Sequence, residues 1–293
     1  MGGFSIGTAE TVAAALDGVR EGDSWRCLCP VHGGHSLIVS ESANGRLLFK
    51  CFGGDCSYFE IVAALSDCGI DSAPRYSDDA IDRTPDAELR IAGADSLYRQ
   101  ARSSAGTPVE TYLRSRAITL PIPSVLRYLP QAPHRCGWHF SAMAAPVADV
   151  DNALIGVHLT FVKSDGSGKY PFSDKSLQRE SRGLLRGGAI RLGDFDPERE
   201  LIVGEGIETA LSAMEVLGLP GWAASSAGGL RTLELPLAVR AVLIAADNDR
   251  SGTGQRSALA AYDRWVDEGR AVRIRCPSVV GHDYNDVLLG RTR

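Results

Sequence analysis

AVLIAADNDRSG, residues Ala241–Gly252, sets an apolar, strand-like run against two carboxylates one residue apart, Asp247 and Asp249, and then a glycine-bearing turn. Taken alone, the segment reads as a buried strand ending in turn chemistry. Its surroundings alternate strand and helix. ELIVGEG reads as a strand into a turn, IETALSAMEVLG as a helix, GWAASSAGGL as a strand and turn, TGQRSALAAYDRWVDEG as a helix and AVRIRCP as a strand. That alternation predicts an α/β layer with a mostly parallel sheet, in which ligands gather at the C-terminal ends of strands.

Acids stand where such ligands would be held. Glu205 follows one apolar run and lies between two glycines, Asp247 and Asp249 follow another, and Asp283 and Asp286 occupy the turn GHDYNDVL. If the extended conformation persists, residues 247 and 249 face the same way. Singly, each of these acids is a turn or cap former. Collected at one end of a sheet they repel one another unless a hard divalent cation is present, and Mg²⁺ (or Mn²⁺) prefers oxygen ligands of this kind. The joint pattern predicts a magnesium site built from Glu205, Asp247, Asp249 and Asp283.

A second constellation lies near the N-terminus, in CLCPVHGGHSLIVSESANGRLLFKCFGGDCSYFEIVAAL. Two residues separate Cys29 from His32, four separate Cys51 from Cys56, and the segment between the pairs suits a hairpin, SLIVSES then RLLFK. Short paired spacings let two ligands from each turn reach one tetrahedral zinc ion, and the hairpin brings the second pair round. Cys27 and His35 stand as substitutes within the same block. An odd cysteine count, seven, argues against a disulfide framework, and Cys136 and Cys276 read as buried thiols.

The chain has 293 residues with a net charge of -5, but its charge is unevenly spread. Arg90–His139 carries seven arginines against two acids, and Lys163–Arg191 carries seven Lys/Arg against three. Lys163, Lys169, Lys175, Arg182 and Arg186 are candidates for phosphate contacts that position a strand without reading its sequence. Trp138 and Tyr170 are candidates for stacking on bases. The N-terminus lacks a basic region followed by a continuous apolar segment, and no apolar run reaches the length of a membrane span, so a cytoplasmic protein is expected. Four parts are expected: a zinc-ribbon-type domain over 1–70, a polar, proline-bearing linker over 71–88, a basic α+β subdomain over 89–199, and an α/β domain over 200–293. A short helix with Thr8 as N-cap opens the first. The third holds two helices, the second with Pro108 in its first turn, and a hairpin turning at Asp151–Asn152.

Glu205 in GEG, Asp247-x-Asp249 after a strand, and a final aspartate-bearing turn together resemble a Toprim domain, shared by DnaG-type primases, topoisomerases and some nucleases. The preceding CPVH and FKCFGGDC are similar to the primase zinc-binding domain. Between them, a strand pair leads to Lys169-Tyr170, as in the basic half of the primase core. The resemblance runs from about Gly7 to Leu289, and is nearest to the compact primase-like proteins of plasmids, phages and other mobile elements. It implies zinc on Cys29, His32, Cys51 and Cys56, a metal-organising and acid/base role for Glu205, Mg²⁺ on Asp247 and Asp249, and a nucleotide-phosphate or template contact for Lys169. The chain departs from the family pattern at Thr209, where an aspartate is usual, and at Asn285 in the last turn.

The implied activity is that of a DNA primase: synthesis of short RNA primers on single-stranded DNA from nucleoside triphosphates. Two other readings share these residues, a Toprim nuclease and a non-catalytic zinc/Toprim module that binds single strands. A Walker A motif is absent from the sequence, so unwinding is expected from a separate replicative helicase.

Overall fold

The computed structural model describes residues 8–41, 47–54, 56, 58–68, 70 and 84–291. Most of the expected linker, residues 71–83, lies outside them. The chain forms two compact units, one of Met1–Asp82 with Asp263–Ala271, the other of Arg83–Tyr262 with Val272–Arg293.

In the first unit, α1 (Ala9–Ala15) starts at Thr8, whose hydroxyl accepts from the Thr11 backbone N–H at 3.1 Å. Four antiparallel strands follow in sequential order: β1 (Val19–Glu21), β2 (Ser24–Cys27), β3 (Leu37–Glu41) and β4 (Leu47–Cys51). Along β3 and β4 apolar residues alternate inward, so Leu37, Val39, Leu47 and Phe49 meet Val12 and Ala13 of α1 and Ile61 and Leu65 of α2 (Tyr58–Asp67). Cys27 belongs to this core, and burial pushes its thiol up to about 11.

The second unit opens with α3 (Pro85–Arg99), capped by Thr84. An antiparallel sheet in the order β5-β6-β7-β8-β9 follows: β5 (Arg102–Ser103), β6 (Arg127–Pro133), β7 (His139–Ala148), β8 (Leu154–Phe161) and β9 (Arg179–Gly183), with α4 (Pro108–Ser115) between β5 and β6. The β7–β8 hairpin turns at Asn152 in the left-handed region (φ 67°), which asparagine tolerates. A 3₁₀ turn, Lys175–Gln178, leads into β9. Helix α3 packs on β8 and β9 over Ala94, Val157, Leu159 and Phe161.

The other sheet has the order β10-β12-β11-β13-β14, from β10 (Ile190–Arg191), β11 (Leu201–Gly204), β12 (Gly221–Ala223), β13 (Ala241–Ala245) and β14 (Ala271–Arg275). Strand β11 is central and parallel to both β12 and β13, while β10 is antiparallel to β12. Helices α5 (Ile207–Leu217), α6 (Ala227–Thr232), α7 (Thr253–Asp267) and α8 (Tyr284–Leu288) complete it. This is the mixed α/β fold with a mostly parallel C-terminal sheet that the alternation of runs predicts. Two expectations change. The GWAASSAGGL segment is a strand followed by α6, because Ser226 caps it by accepting from the Gly229 N–H. Cys136 and Cys276 are exposed, since one lies in the β6–β7 turn and the other just beyond β14.

Asp247 and Asp249 also part company. Strand β13 ends at Ala245, so the same-face geometry expected at i and i+2 does not persist. Asp249 turns to the start of α7, accepting from the N–H of Thr253 (3.2 Å) and of Gly254 (2.6 Å). A Cβ at residue 254 would stand 2.9 Å from Asp249 Oδ2, so the contact requires glycine there. Asp249→Ala is expected to lower stability by about 1 kcal/mol near neutral pH, the usual size of a lost cap. Hydrogen bonds from Ser251 and Gly254 hold this carboxyl at about 2, below its ordinary 3.8, so its contribution is present above that ordinary value and fades as the pH falls through about 2. Denaturant unfolding of both proteins across the acidic range checks this; a difference that persists at the lowest pH would refute it.

Candidate functional site

The carboxylates assemble where β11 and β13 end. After Gly204 the chain turns through Glu205 and Gly206 into α5, and a Cβ on Gly204 would meet Ala210 at 3.0–3.1 Å. Glycine therefore lets α5 fold back tightly over its own strand, leaving Glu205 half-buried at the strand mouth. Asp247 stands two residues beyond β13 and accepts from Thr209 Oγ1 at 3.1 Å. Burial, and then the negative charges of Glu205 and Asp283, push its carboxyl up to about 7. Burial also raises Glu205, against the pull of the Arg179 guanidinium. Asp283 caps α8, accepting from the Asp286 N–H at 2.9 Å, and Asp286 pairs with Arg291 at 3.0 Å.

Asp247 is thus coupled through charge to Glu205, Asp283 and Asp249, and Asp249 is at the same time held by the start of α7. Oxygen donors of this kind suit a hard divalent cation, and Asp247 is held near neutrality first by burial and then by the charges of Glu205 and Asp283. Asn285, in contrast, points away from this group. Its amide donates to Arg116 O (2.7 Å) and Ser212 Oγ (2.9 Å) in full burial, so position 285 serves the core.

Glu208 was not among the acids singled out from the sequence, and the structure gives it partners. It is buried, with the Lys169 ammonium 3.0 Å from Oε1 and the Tyr112 hydroxyl donating to the same oxygen at 2.6 Å. Burial alone would raise this carboxyl; Lys169 and Tyr112 overcome that and hold it at about 2. A turn closed by Lys163 N–H to Gly168 O brings Lys169 back beside Val162 at the end of β8, and so under Glu208. Nearby His158 is buried, bonded through Nδ1 to Ser181 Oγ at 3.0 Å, and pushed down to about 4 by burial and by Arg179. The signal for Glu208 was readable: α5 is buried on every side from Ile207 to Ala213, and a charge in such a turn needs a partner. Tyr112 and His158 carried no comparable signal.

The remaining basic candidates differ in how free they are. Arg182 Nη2 lies 2.7 Å from Glu180, which also takes Arg135 (3.1 Å) and His134 (3.3 Å). Lys163 is half-buried, and Lys175 and Arg186 are exposed. Tyr170 packs in an aromatic cluster with Phe140 and Phe172, at 4.5 and 4.7 Å between ring centres.

In the first unit, Cys29, His32, Cys51 and Cys56 bring one ligand atom each within 4.8 Å of all the others. Neither Cys27 nor His35 belongs to this group. The spacing fits zinc. Thiolates bound at about 2.3 Å in a tetrahedron stand about 3.8 Å apart, and Cys29 Sγ and Cys56 Sγ are separated by 3.8 Å. The charges fit as well. Burial and the neighbouring Cys29 and Cys51 push the Cys56 thiol up to about 12; Cys51 falls to about 6, as hydrogen bonds from Ser36 and His32 outweigh its burial. A cation between the three sulfurs would let them all be held as thiolates, which is the form that binds metal. Among the described residues, this is the one group of three or more such side chains close enough to hold an ion.

Residues 200–293 match the Toprim domain family, and residues 88–192 match a family described as Domain of unknown function (DUF7146). The C-terminal part of the chain is a Toprim domain. No curated protein matches the chain. Among solved structures, it is similar to the Aquifex aeolicus primase (zinc-binding and RNA polymerase domains), with 18% identity, coverage of 97% of this chain and 79% of that one, and a TM-score of 0.43. It is also similar to the E. coli primase catalytic core (14% identity, 70% and 75% coverage, TM-score 0.43) and to a DnaG primase catalytic domain bound to single-stranded DNA (13%, 71% and 77%, 0.42). Among the described residues, no helix is long and apolar enough to cross a membrane.

Two outcomes test the clusters. Purified protein is expected to carry about one zinc ion by metal analysis, and Cys51→Ser to lose it together with the ordered first unit, read by circular dichroism; full retention of zinc would count against the ligand set. In metal-free protein, Asp247→Asn is expected to raise the melting temperature near pH 8 and leave it unchanged near pH 4. The sign follows from an acid whose folded value, about 7, exceeds its ordinary 3.8: its ionised form opposes folding increasingly between those values and fully above about 7. Saturating Mg²⁺ is expected to reverse the order of the two proteins at the higher pH, and a difference independent of both pH and metal would contradict this account.

Proposed function

We propose that this Toprim protein is a DNA primase that joins ribonucleotides into short RNA primers on single-stranded DNA. The observation that carries the reading is Asp247, beyond the end of β13, in the field of Glu205 and Asp283, with the Arg179 guanidinium of β9 drawing on Glu205 and Lys169 held by Glu208 three residues further on. Cations opposite a carboxylate cluster form a place where a triphosphate can be held between protein charge and Mg²⁺. The reaction is attack of a primer 3′-hydroxyl on the α-phosphate of an incoming nucleotide, with pyrophosphate leaving.

In this reading Glu205, Asp247 and Asp283 hold the magnesium, which when bound neutralises phosphate charge and orients the reacting oxygens. Asp249 stiffens the loop that carries Asp247 and offers its carboxylate from the start of α7. Thr209 fixes the Asp247 rotamer through its hydroxyl. Lys169 is oriented by Glu208 and presents its ammonium to phosphate. Lys163, Lys175 and Arg186 supply further phosphate contacts, while Arg182 steadies Glu180. Zinc on Cys29, His32, Cys51 and Cys56 keeps the first unit folded so that its strands can engage the template; on β4 and just beyond it, Lys50 lies 5.3 Å from the ring of exposed Phe52, a pairing suited to a single strand. We assign the parts as zinc-binding domain (1–70), linker (71–88), basic subdomain (89–199) and Toprim domain (200–293), in the manner of compact plasmid and phage primases, with unwinding left to a separate helicase.

Incubation with single-stranded DNA, labelled ribonucleotides and Mg²⁺ or Mn²⁺ is expected to give short oligomers, and Asp247→Ala to reduce their yield at least 100-fold, on the order of the loss of a charge-neutralising group. Shortened template in place of oligomers would establish a nuclease. Neither product across varied templates and metals, with Asp247→Ala binding DNA as the parent does, would leave a binding module.

A further inference from the structure

Trp138 is 73% exposed, the largest side chain so displayed among the described residues. It sits in the turn between β6 and β7, closed by the His134 N–H on Trp138 O at 2.9 Å, with Gly137 at φ 87°. The turn is anchored from below. His134 is buried and stacks on Phe172 at 4.6 Å, meets Phe140 and Phe161 edge-on, and hydrogen-bonds through Nε2 to Leu177 O at 3.1 Å. A rigid turn presenting an indole to solvent loses little freedom when something lies on it.

Register shows what surrounds this tip. Pro133 pairs with His139, Phe161 with Ala142, and Arg179 with Thr160, so the β6–β7 turn, the end of β8 and the start of β9 share one end of the sheet. Gathered there are Arg135, His139, Lys175 and Arg179. The nearby acids are accounted for: Glu180 is buried under His134, Arg135 and Arg182, and Asp174 caps the 3₁₀ turn through Ser176. Lys175 and Arg179 have no side-chain hydrogen bond or ion pair among the described residues, and the Arg179 charge reaches Glu205. An aromatic face flanked by unneutralised cations matches a single nucleic-acid strand, whose bases stack while its phosphates seek charge.

We propose that the β6–β7 tip is an anchoring point for the template strand, one base stacking on Trp138 while the adjoining phosphates run past Arg135, Lys175 and Arg179 toward Glu205. The proposal rests on the primase reading for the identity of the strand. A duplex, with its bases paired and stacked internally, has no free base to place there.

Titration with short oligothymidylate, following tryptophan fluorescence, tests the assignment. Trp222 and Trp265 are buried and Trp25 is half-buried, so the part of the quenching that Trp138→Phe removes is the part assigned to Trp138, and it is expected to be most of the signal while most of the affinity is kept. Trp138→Ala is expected to bind about 5- to 100-fold more weakly at an unchanged melting temperature. Lys175→Ala is expected to flatten the slope of log affinity against log salt by about 0.7, the share of one phosphate contact on a single strand. If the parent binds oligothymidylate and Trp138→Ala binds it equally, or if duplex quenches Trp138 as well as single strand does, the anchoring role falls and the primase reading stands. If the parent binds no single strand at all, both fall.

Discussion

A carboxylate taken out of water must find a cation or give up its charge, and in the larger unit Glu208 finds one. Its oxygen holds the Lys169 ammonium and the Tyr112 hydroxyl, the one from the loop after β8 and the other from α4, while Glu208 itself belongs to the first turn of α5. Three segments far apart in sequence meet at one atom. Such a pair brings little net stability, because desolvation offsets much of the attraction, but either partner left alone would be strongly unfavourable. Its effect is registration: α5 cannot shift along β11 without stranding a charge, and Glu205 and Thr209, on either side of Glu208, are fixed with it.

The same unit drives two chemically identical groups in opposite directions. Asp247 and Asp249 are separated by one residue, yet burial and facing acids push the first up to about 7, while hydrogen bonds from Ser251 and the start of α7 hold the second at about 2. Environments that separate like groups in this way assign them different work. The protonatable carboxyl faces the other acids, and the permanently ionised one anchors a helix.

Much of this was legible in the chain. Alternating strand and helix runs in the last third predict the parallel core, the Thr8 cap and the β7–β8 turn follow from local chemistry, and paired Cys/His spacings lead to a four-ligand cluster. What escaped depends on where strands stop and what meets across the fold. The same-face geometry of Asp247 and Asp249 failed because β13 ends at Ala245 and Asp249 turns to the N–H groups of α7. The charge count over Lys163–Arg191 was visible, but not that Lys169 and Arg182 are committed to Glu208 and Glu180, since those contacts need the tertiary structure. Exposure of Cys136 depended likewise on a turn whose buried member is His134.

The contact between Asp249 and Gly254 has an evolutionary side. With 2.9 Å between the carboxylate oxygen and the place a methyl group would take, the two positions cannot change independently. A side chain at 254 displaces the acid, and it also meets Asp247 O at 3.0 Å, so a smaller residue at 249 relieves only part of the crowding. Lineages that keep the acid will keep the glycine, while lineages that lose the acid keep the backbone part of the same constraint at 254. Covariation between two sites five residues apart would then record a steric exclusion at a helix start, independent of any shared part in chemistry.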